Sequence, residues 1–201
     1  MNTFKQEMKK KIQEYSNESY LDGYIKNEFL TEDGDADIFL NINKKGELFD
    51  TRTVGNQLDL NKSIYEYIEE KSSMLDNDIK LNLHIIGIDL DQKEKESIKH
   101  IIKEHFAIEL YKIEKEYLHY KTKIMKLILV GLLSLLSYAL LYLYTNFEFF
   151  LEVFGFIFSF ALWKGIEDII YSLAVVKDKR EAITQNLLMA VEFSNEEMDE
   201  I

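Results

Sequence analysis

Two long apolar runs stand apart from the rest of the chain: LILVGLLSLLSYALLYLY from Leu127 to Tyr144, and FFLEVFGFIFSFALW from Phe149 to Trp163. Only the polar TNFE separates them. The first run holds no charge, and at about 1.5 Å of rise per residue its length approaches the roughly 30 Å of bilayer hydrocarbon. It has no polar face, as a soluble core helix normally would, and it lies too late in the chain to be a secretory signal. The pattern therefore predicts a transmembrane hairpin over residues 127–163. The second run is short for a span and holds Glu152. The apolar spacing resumes after it at Ile166, Ile169, Ile170, Leu173 and Val176. This predicts one helix from about Phe147 to beyond Val176, leaving the membrane near Trp163 and Lys164 with its inner half amphipathic.

Upstream of the spans the periods are shorter. Phe4, Met8, Ile12 and Tyr15, with Lys9 to Lys11 between them, predict an amphipathic helix that either packs on the rest of its domain or lies on anionic lipid. TEDGDAD from Thr31 to Asp37 reads as an acidic turn. Asp37 to Asn43 predicts a strand, Lys44 to Gly46 a hairpin turn, and Glu47 to Thr53 a returning strand. Asn61 is placed to cap a helix whose buried face is Ile64, Tyr67, Ile68 and Leu75. Ile79, Leu81, Leu83 and Ile85 alternate with Lys80, Asn82, His84 and Ile86, the clearest strand in the chain. Asp89 and Asp91 offer caps for a helix from Gln92 with Ile98, Ile101, Ile102 and Phe106 on its apolar face. A break at Ala107 to Leu110 would divide it from the stripe Ile113, Tyr117, Tyr120 and Ile124 that feeds the first span. The expected architecture is an α+β cytoplasmic domain (residues 1–110), a basic stalk helix (111–126), the two-helix transmembrane hairpin (127–163), and a C-terminal cytoplasmic amphipathic helix with an acidic tail (164–201).

Charge orients the hairpin. The connecting loop Thr145 to Glu148 has no Lys or Arg, whereas Lys112, Lys115, Lys121, Lys123 and Lys126 precede the first span, and Lys164, Lys177, Lys179 and Arg180 follow the second. The positive-inside rule then puts both termini in the cytoplasm. The 201 residues contain no Cys, which excludes disulfides, thiolate metal sites and a Cys nucleophile. They contain no Pro, so a helix can pass unbroken from the stalk into the membrane. A formal net charge of −12 disfavours binding nucleic acid through a basic face.

No reaction chemistry is legible. A calcium loop starting at Asp33 would need Gly and Glu where Ile38 and Lys44 stand. Asp35 and Asp37 could share a divalent metal on one strand face, as in a nucleotidyltransferase, but no Gly-Ser phosphate-binding turn precedes them. His100 and His105 are five apart on a helix and face apart, and His84 and His119 lack sequence partners. There is no GxGxxG, Walker A lysine or GxSxG elbow. The reading is a non-enzyme with no metal and no cofactor.

The spans do carry informative residues. Gly131, Ser134 and Ser137 or Tyr138 share one side of the first helix, and Glu152, Gly155 and Ser159 share a face of the second. Small and polar residues on one face are how helices pack in lipid, and an intramembrane acid is expected to face protein or water. Gly131, Ser134, Ser137, Glu152, Gly155 and Ser159 are candidates for a helix or pore interface; alternatively Glu152 snorkels outward beside Glu148. Lys164, Glu167 and Asp168 are candidates for the cytoplasmic mouth.

An α/β part, a basic helix entering a short hairpin, WKGIEDII and the charged helix KDKREAITQNLLMAVEF together resemble small bacterial two-span membrane proteins. More distantly, residues 112–193 are similar to the SLATT-type two-span proteins, through that architecture, Trp163 and the acid pair Glu167 and Asp168. The resemblance implies a location in the bacterial inner membrane and a pore-forming effector role in anti-phage defence. Two functions follow as expectations. One is an oligomeric membrane effector that conducts ions and is gated by its cytoplasmic domain through a regulatory ligand or partner protein. The other is a membrane-tethered adaptor whose α/β domain recruits a protein.

Overall fold

The computed structural model describes residues 9–11, 23–25, 28–53, 58–144 and 148–194. The expected N-terminal amphipathic helix, the loop after Tyr144 and the acidic tail lie mostly outside them. The described chain is helical with one small parallel sheet of three strands, and it divides into two compact units. The first unit combines residues 1–107 with 184–201, and the second is Ile108–Ile183.

In the first unit, β1 (Ala36–Asn41) is followed by a single helical turn, Lys45–Leu48, then α1 (Lys62–Ser72), β2 (Leu81–Ile86) and α2 (Gln92–Tyr144). The last strand, β3, is Ala190–Ser194. Both pairings are parallel in the order β1-β2-β3, with Ile38 beside Leu83 and Leu83 beside Val191. Parallel neighbours need a crossover. For β1 to β2 that crossover contains α1; for β2 to β3 it is the whole of α2 and everything up to Met189.

Each element forms for a readable reason. Asn61 caps α1, its side chain accepting from the Ser63 amide at 3.3 Å, and Ile64, Tyr65 and Ile68 recur at helical spacing on the buried face. The start of α2 is a reciprocal capping box. The Glu94 amide donates to the Asp91 carboxylate at 2.8 Å, and the Asp91 amide donates to the Glu94 carboxylate at 2.9 Å. Gly87 has φ +83°, and a Cβ there would run into the Asn41 side chain and stand 3.2 Å from the Ile42 carbonyl oxygen, so the turn that leaves β2 needs glycine. Ile38, Leu83, Ile85, Ile68, Ile98, Ile102, Phe106 and Met189 form the core.

Three sequence expectations change. The strand predicted at Glu47 to Thr53 does not form: Lys45–Leu48 is helical, Phe49 makes only an isolated bridge to Leu60, and β1 pairs with β2 instead. The physical reason is that Leu48 and Phe49 are adjacent rather than alternate, and Asp50 closes a turn by accepting the amides of Arg52 and Thr53. No break occurs at Ala107 to Leu110, since α2 runs unbroken through it. The C-terminal segment is more than a helix and tail, because β3 follows the helix, with Val191 buried and Glu192 exposed.

In the second unit, α2 continues to Tyr144. The returning helix comprises α3 (Glu148–Glu167), a π-helical segment (Asp168–Leu173) and α4 (Ala174–Leu188). Both α2 and the return from Glu148 to Leu188 contain a stretch long and apolar enough to cross a membrane. Within those stretches only 17% and 11% of the residues are buried, so the apolar side chains point outward rather than into a core.

A candidate hairpin interface with a charged base

Within the hairpin the small residues lie where the two helices meet. Gly131 is buried, and a Cβ on it would stand 3.6 Å from the Ala161 Cβ. One turn on, the buried Ser134 donates its hydroxyl to the Phe154 carbonyl at 2.7 Å. A Cβ on Gly155 would stand 3.7 Å from the Tyr138 ring. Close approach of this kind, with a hydroxyl bridging the helices, is how apolar spans gain packing contact without a hydrophobic driving force. Of the predicted interface residues, the structure therefore brings Gly131, Ser134 and Gly155 together inside one chain.

Ser137, Glu152 and Ser159 are placed differently. Ser137 and Ser159 return their hydroxyls to their own helices, to the Leu133 and Gly155 carbonyls at 2.9 Å each. Glu152 is exposed on the outer side of α3, and among the described residues it has neither an ion pair nor a hydrogen bond. Phe156, Ser159, Trp163 and Ile166 continue this outer face at spacings of three and four.

The predicted mouth residues form one charged cluster. Asp168, 3% exposed, opens the π-helical segment and holds two lysines, Lys123 Nζ at 2.8 Å and Lys164 Nζ at 3.3 Å. Lys164 also pairs with Glu167 at 3.0 Å. Lys123 comes from α2, so this carboxylate joins the two helices just beyond the apolar runs. Lys123, then Lys164, hold the Asp168 carboxyl below the usual carboxylate range, against the opposing effect of burial. The π-helical segment adds one residue to the turn at that point, and such insertions often mark functional positions. Lys123 is the partner that sequence spacing missed, because it lies in a different helix. The positive run before the first span was its only signal. Further along, Arg180 pairs with Glu114 and lies over the Tyr117 ring at 5.4 Å.

The sheet unit holds a second polar array. Register sets Phe39, His84 and Glu192 side by side on the three strands, with the pair Asp37 and Asn82 two residues back on the same face, opposite Ile38, Leu83 and Val191. His84 Nε2 lies 3.2 Å from Asp37 and its Nδ1 lies 3.6 Å from Glu192, while Asn82 donates to Asp37 at 2.9 Å. Phe39 stacks on the imidazole with centroids 5.0 Å apart. The imidazole thus lies between two carboxylates, yet its buried Nε2 makes no hydrogen bond, and among the described residues no group of three His, Asp and Glu is arranged to hold a metal ion. The acidic turn is likewise committed: Asp35 pairs with Lys80 at 2.5 Å, and Gly34, at φ +84°, makes the bend. His105 stacks on Tyr65 at 3.6 Å, and burial, followed by a hydrogen bond to Asp59, pushes that phenol far up. The array at His84 was not legible because β3 lies more than a hundred residues from β2.

Set against models of known protein families, curated proteins and solved structures, the chain matches none.

Proposed function

We propose that this is an integral membrane protein that crosses the bilayer twice with both flanks in the cytoplasm, and that several copies assemble so that Glu152 faces an ion path. The observation that carries the reading is the position of Glu152. The serines of the apolar runs satisfy their hydroxyls inside the chain, and the hairpin's own contact uses Gly131, Ser134 and Gly155. Within the run from Phe149 to Trp163, Glu152 is the one carboxylate, and it is exposed among phenylalanines. A charged side chain in lipid costs roughly 2.5 to 3.5 kcal/mol at the bilayer centre and less near its edge, so a second copy or water is the favoured neighbour. A pore needs at least four helices around its axis, which requires an oligomer, and a carboxylate lining favours cations.

The sheet supports the topology independently of the lysines. Since β2 precedes the hairpin and β3 follows it, their pairing requires an even number of crossings between them. The chain then joins the sheet unit to both ends of the hairpin, which gives a regulatory ligand or partner protein bound there two covalent connections to the spans. Cysteine introduced at Asn146 should react with an impermeant reagent in intact cells, and cysteine at Asn195 should not.

Purified protein in liposomes should pass cations, and Glu152→Gln should keep the assembly while changing its selectivity. A stable monomer, or no flux from either protein, would reject the pore. The hairpin would then be an anchor, and the sheet unit the recruiting module of a tethered adaptor.

A further inference from the structure

We infer that the base of the first span carries a binding groove for an anionic phospholipid, a reading that rests on the membrane placement proposed above. The groove, about 270 Å³, runs along one face of α2 and is lined by His119, Thr122, Lys123, Lys126, Leu127 and Val130. Its surface is almost wholly apolar, the methylene stems of Lys123 and Lys126 included, and the polar tips of its residues lie beyond that surface. Those polar residues, His119, Thr122, Lys123 and Lys126, come first along the helix, and purely apolar side chains follow where the uncharged run begins at Leu127. That is the order of a phospholipid entering a bilayer: phosphate at the boundary, acyl chain beyond it.

Charge selects the headgroup. Lys123 and Lys164 neutralise Asp168 and Glu167. Lys126 is exposed and makes no ion pair with any described residue, so it is the cation left over beside the groove. A phosphate suits it, and a choline headgroup would set a second cation beside it, whereas a glycerol headgroup would not. The chain carries a formal net charge of −12, so long-range attraction to an anionic surface is weak, and any preference for such lipid must be local. The committed occupant is a phosphatidylglycerol-type lipid.

The test uses the full-length protein in phosphatidylcholine vesicles containing a minor fraction of phosphatidylglycerol, with spin-labelled lipids of each class reporting relative association. Phosphatidylglycerol should be preferred several-fold. Lys126→Gln should reduce the preference by about fivefold, the usual worth of one basic residue at an anionic surface. Lys121→Gln, on the same helix but outside the groove, should leave it intact. Equal retention of the two lipids in the unaltered protein, or equal losses in both variants, would overturn the inference. So would displacement of the labelled lipid by inorganic phosphate alone, which would make the groove a site for free anions. Protein stripped from the vesicles by alkaline carbonate would instead refute the membrane placement. Protein that stays embedded without a lipid preference refutes the groove only.

Discussion

Replacing Lys103 by methionine tests how the segment after the hairpin is fastened into the sheet unit. Lys103 lies on α2, and its ammonium donates to the Leu187 carbonyl and, at 2.5 Å, to the Met189 carbonyl. These lie at the end of α4 and the entry to β3, where helix geometry leaves carbonyls without intrahelical partners and the helix dipole favours a cation. Methionine keeps the apolar stem of the lysine and removes both donors. A hydrogen bond to a charged group contributes about 1.5 to 3 kcal/mol. Lys103 is only half-buried, so water can reach part of the vacated site, and the net loss for the pair should be about 2 kcal/mol. If it acts by local opening, amide exchange at Val191 and Phe193 should accelerate by about 30-fold, since 1.36 kcal/mol is tenfold. The assay is hydrogen exchange of the full-length protein read at peptides covering 190–194. Unchanged exchange there, with unchanged global stability, would refute the fastening role. The pH dependence adds a signature. Burial lowers the Lys103 pKa from 10.5, so the folded state binds this proton less well than the unfolded state does. The cost of burying the charge is present below the lowered pKa and fades as pH rises toward 10.5, and Lys103→Met should lack that rise.

Two predictions concern the hairpin itself. Gly131→Ala should be tolerated, because its Cβ would rest 3.6 Å from Ala161, whereas Gly131→Leu should splay the helices at a cost of about 1 to 3 kcal/mol, read by thermal unfolding in detergent. The Asp168 carboxyl is held below its usual 3.8 chiefly by Lys123, so its contribution is complete above that value and is lost only as pH falls through the lower folded pKa. The stability difference between the unaltered protein and Asp168→Asn should therefore be constant from pH 8 to about pH 5. A difference that shrinks across that range would refute the assignment.

What the sequence discloses follows the range of the physics. The apolar runs of α2 and α3 are legible because a long apolar helix is a local property, set by length and by the absence of charge. β2 is legible because Leu81, Leu83 and Ile85 alternate, and α1 and the start of α2 because Asn61 and Asp91 are caps. Partnership is another matter. Nothing near Glu47 to Thr53 says that β1 has its neighbour in β2, and VEF at 191–193 is too short to announce a strand after a long helix. The charged base is half legible: Lys164, Glu167 and Asp168 share a helix and are read from their spacing, but Lys123 reaches Asp168 across the hairpin. Likewise, small residues in the spans can be found from sequence, but their spacing cannot tell a contact within the chain, such as Ser134 with Phe154, from one between copies.

The discontinuity of the sheet unit leads to the last prediction. If residues 1–107 and 184–201 form one compact unit, then Ile108–Ile183 is an insertion in its β2-to-β3 crossover, and the crossover can be shortened. The ends to be joined are local to the sheet unit, because Lys103 already reaches Leu187 and Met189, and Gln185 donates to the Asp76 and Ile79 carbonyls at 2.8 and 2.7 Å. A Gly/Ser linker of about ten residues can extend to roughly 33 Å, ample for such a closure. Closing about ten residues rather than the 76 from Ile108 to Ile183 favours pairing by about 2 kcal/mol in the unfolded-chain entropy, as (3/2)RT ln n requires. The head of α2 still brings Ile98, Ile102 and Phe106 to the core, and β3 still brings Val191. The shortened chain should therefore be water-soluble, monomeric and cooperative in unfolding, with β3 amides protected from exchange. A product that is insoluble, or soluble with residues 190–194 unprotected, would mean that the sheet depends on the hairpin to hold its two halves together.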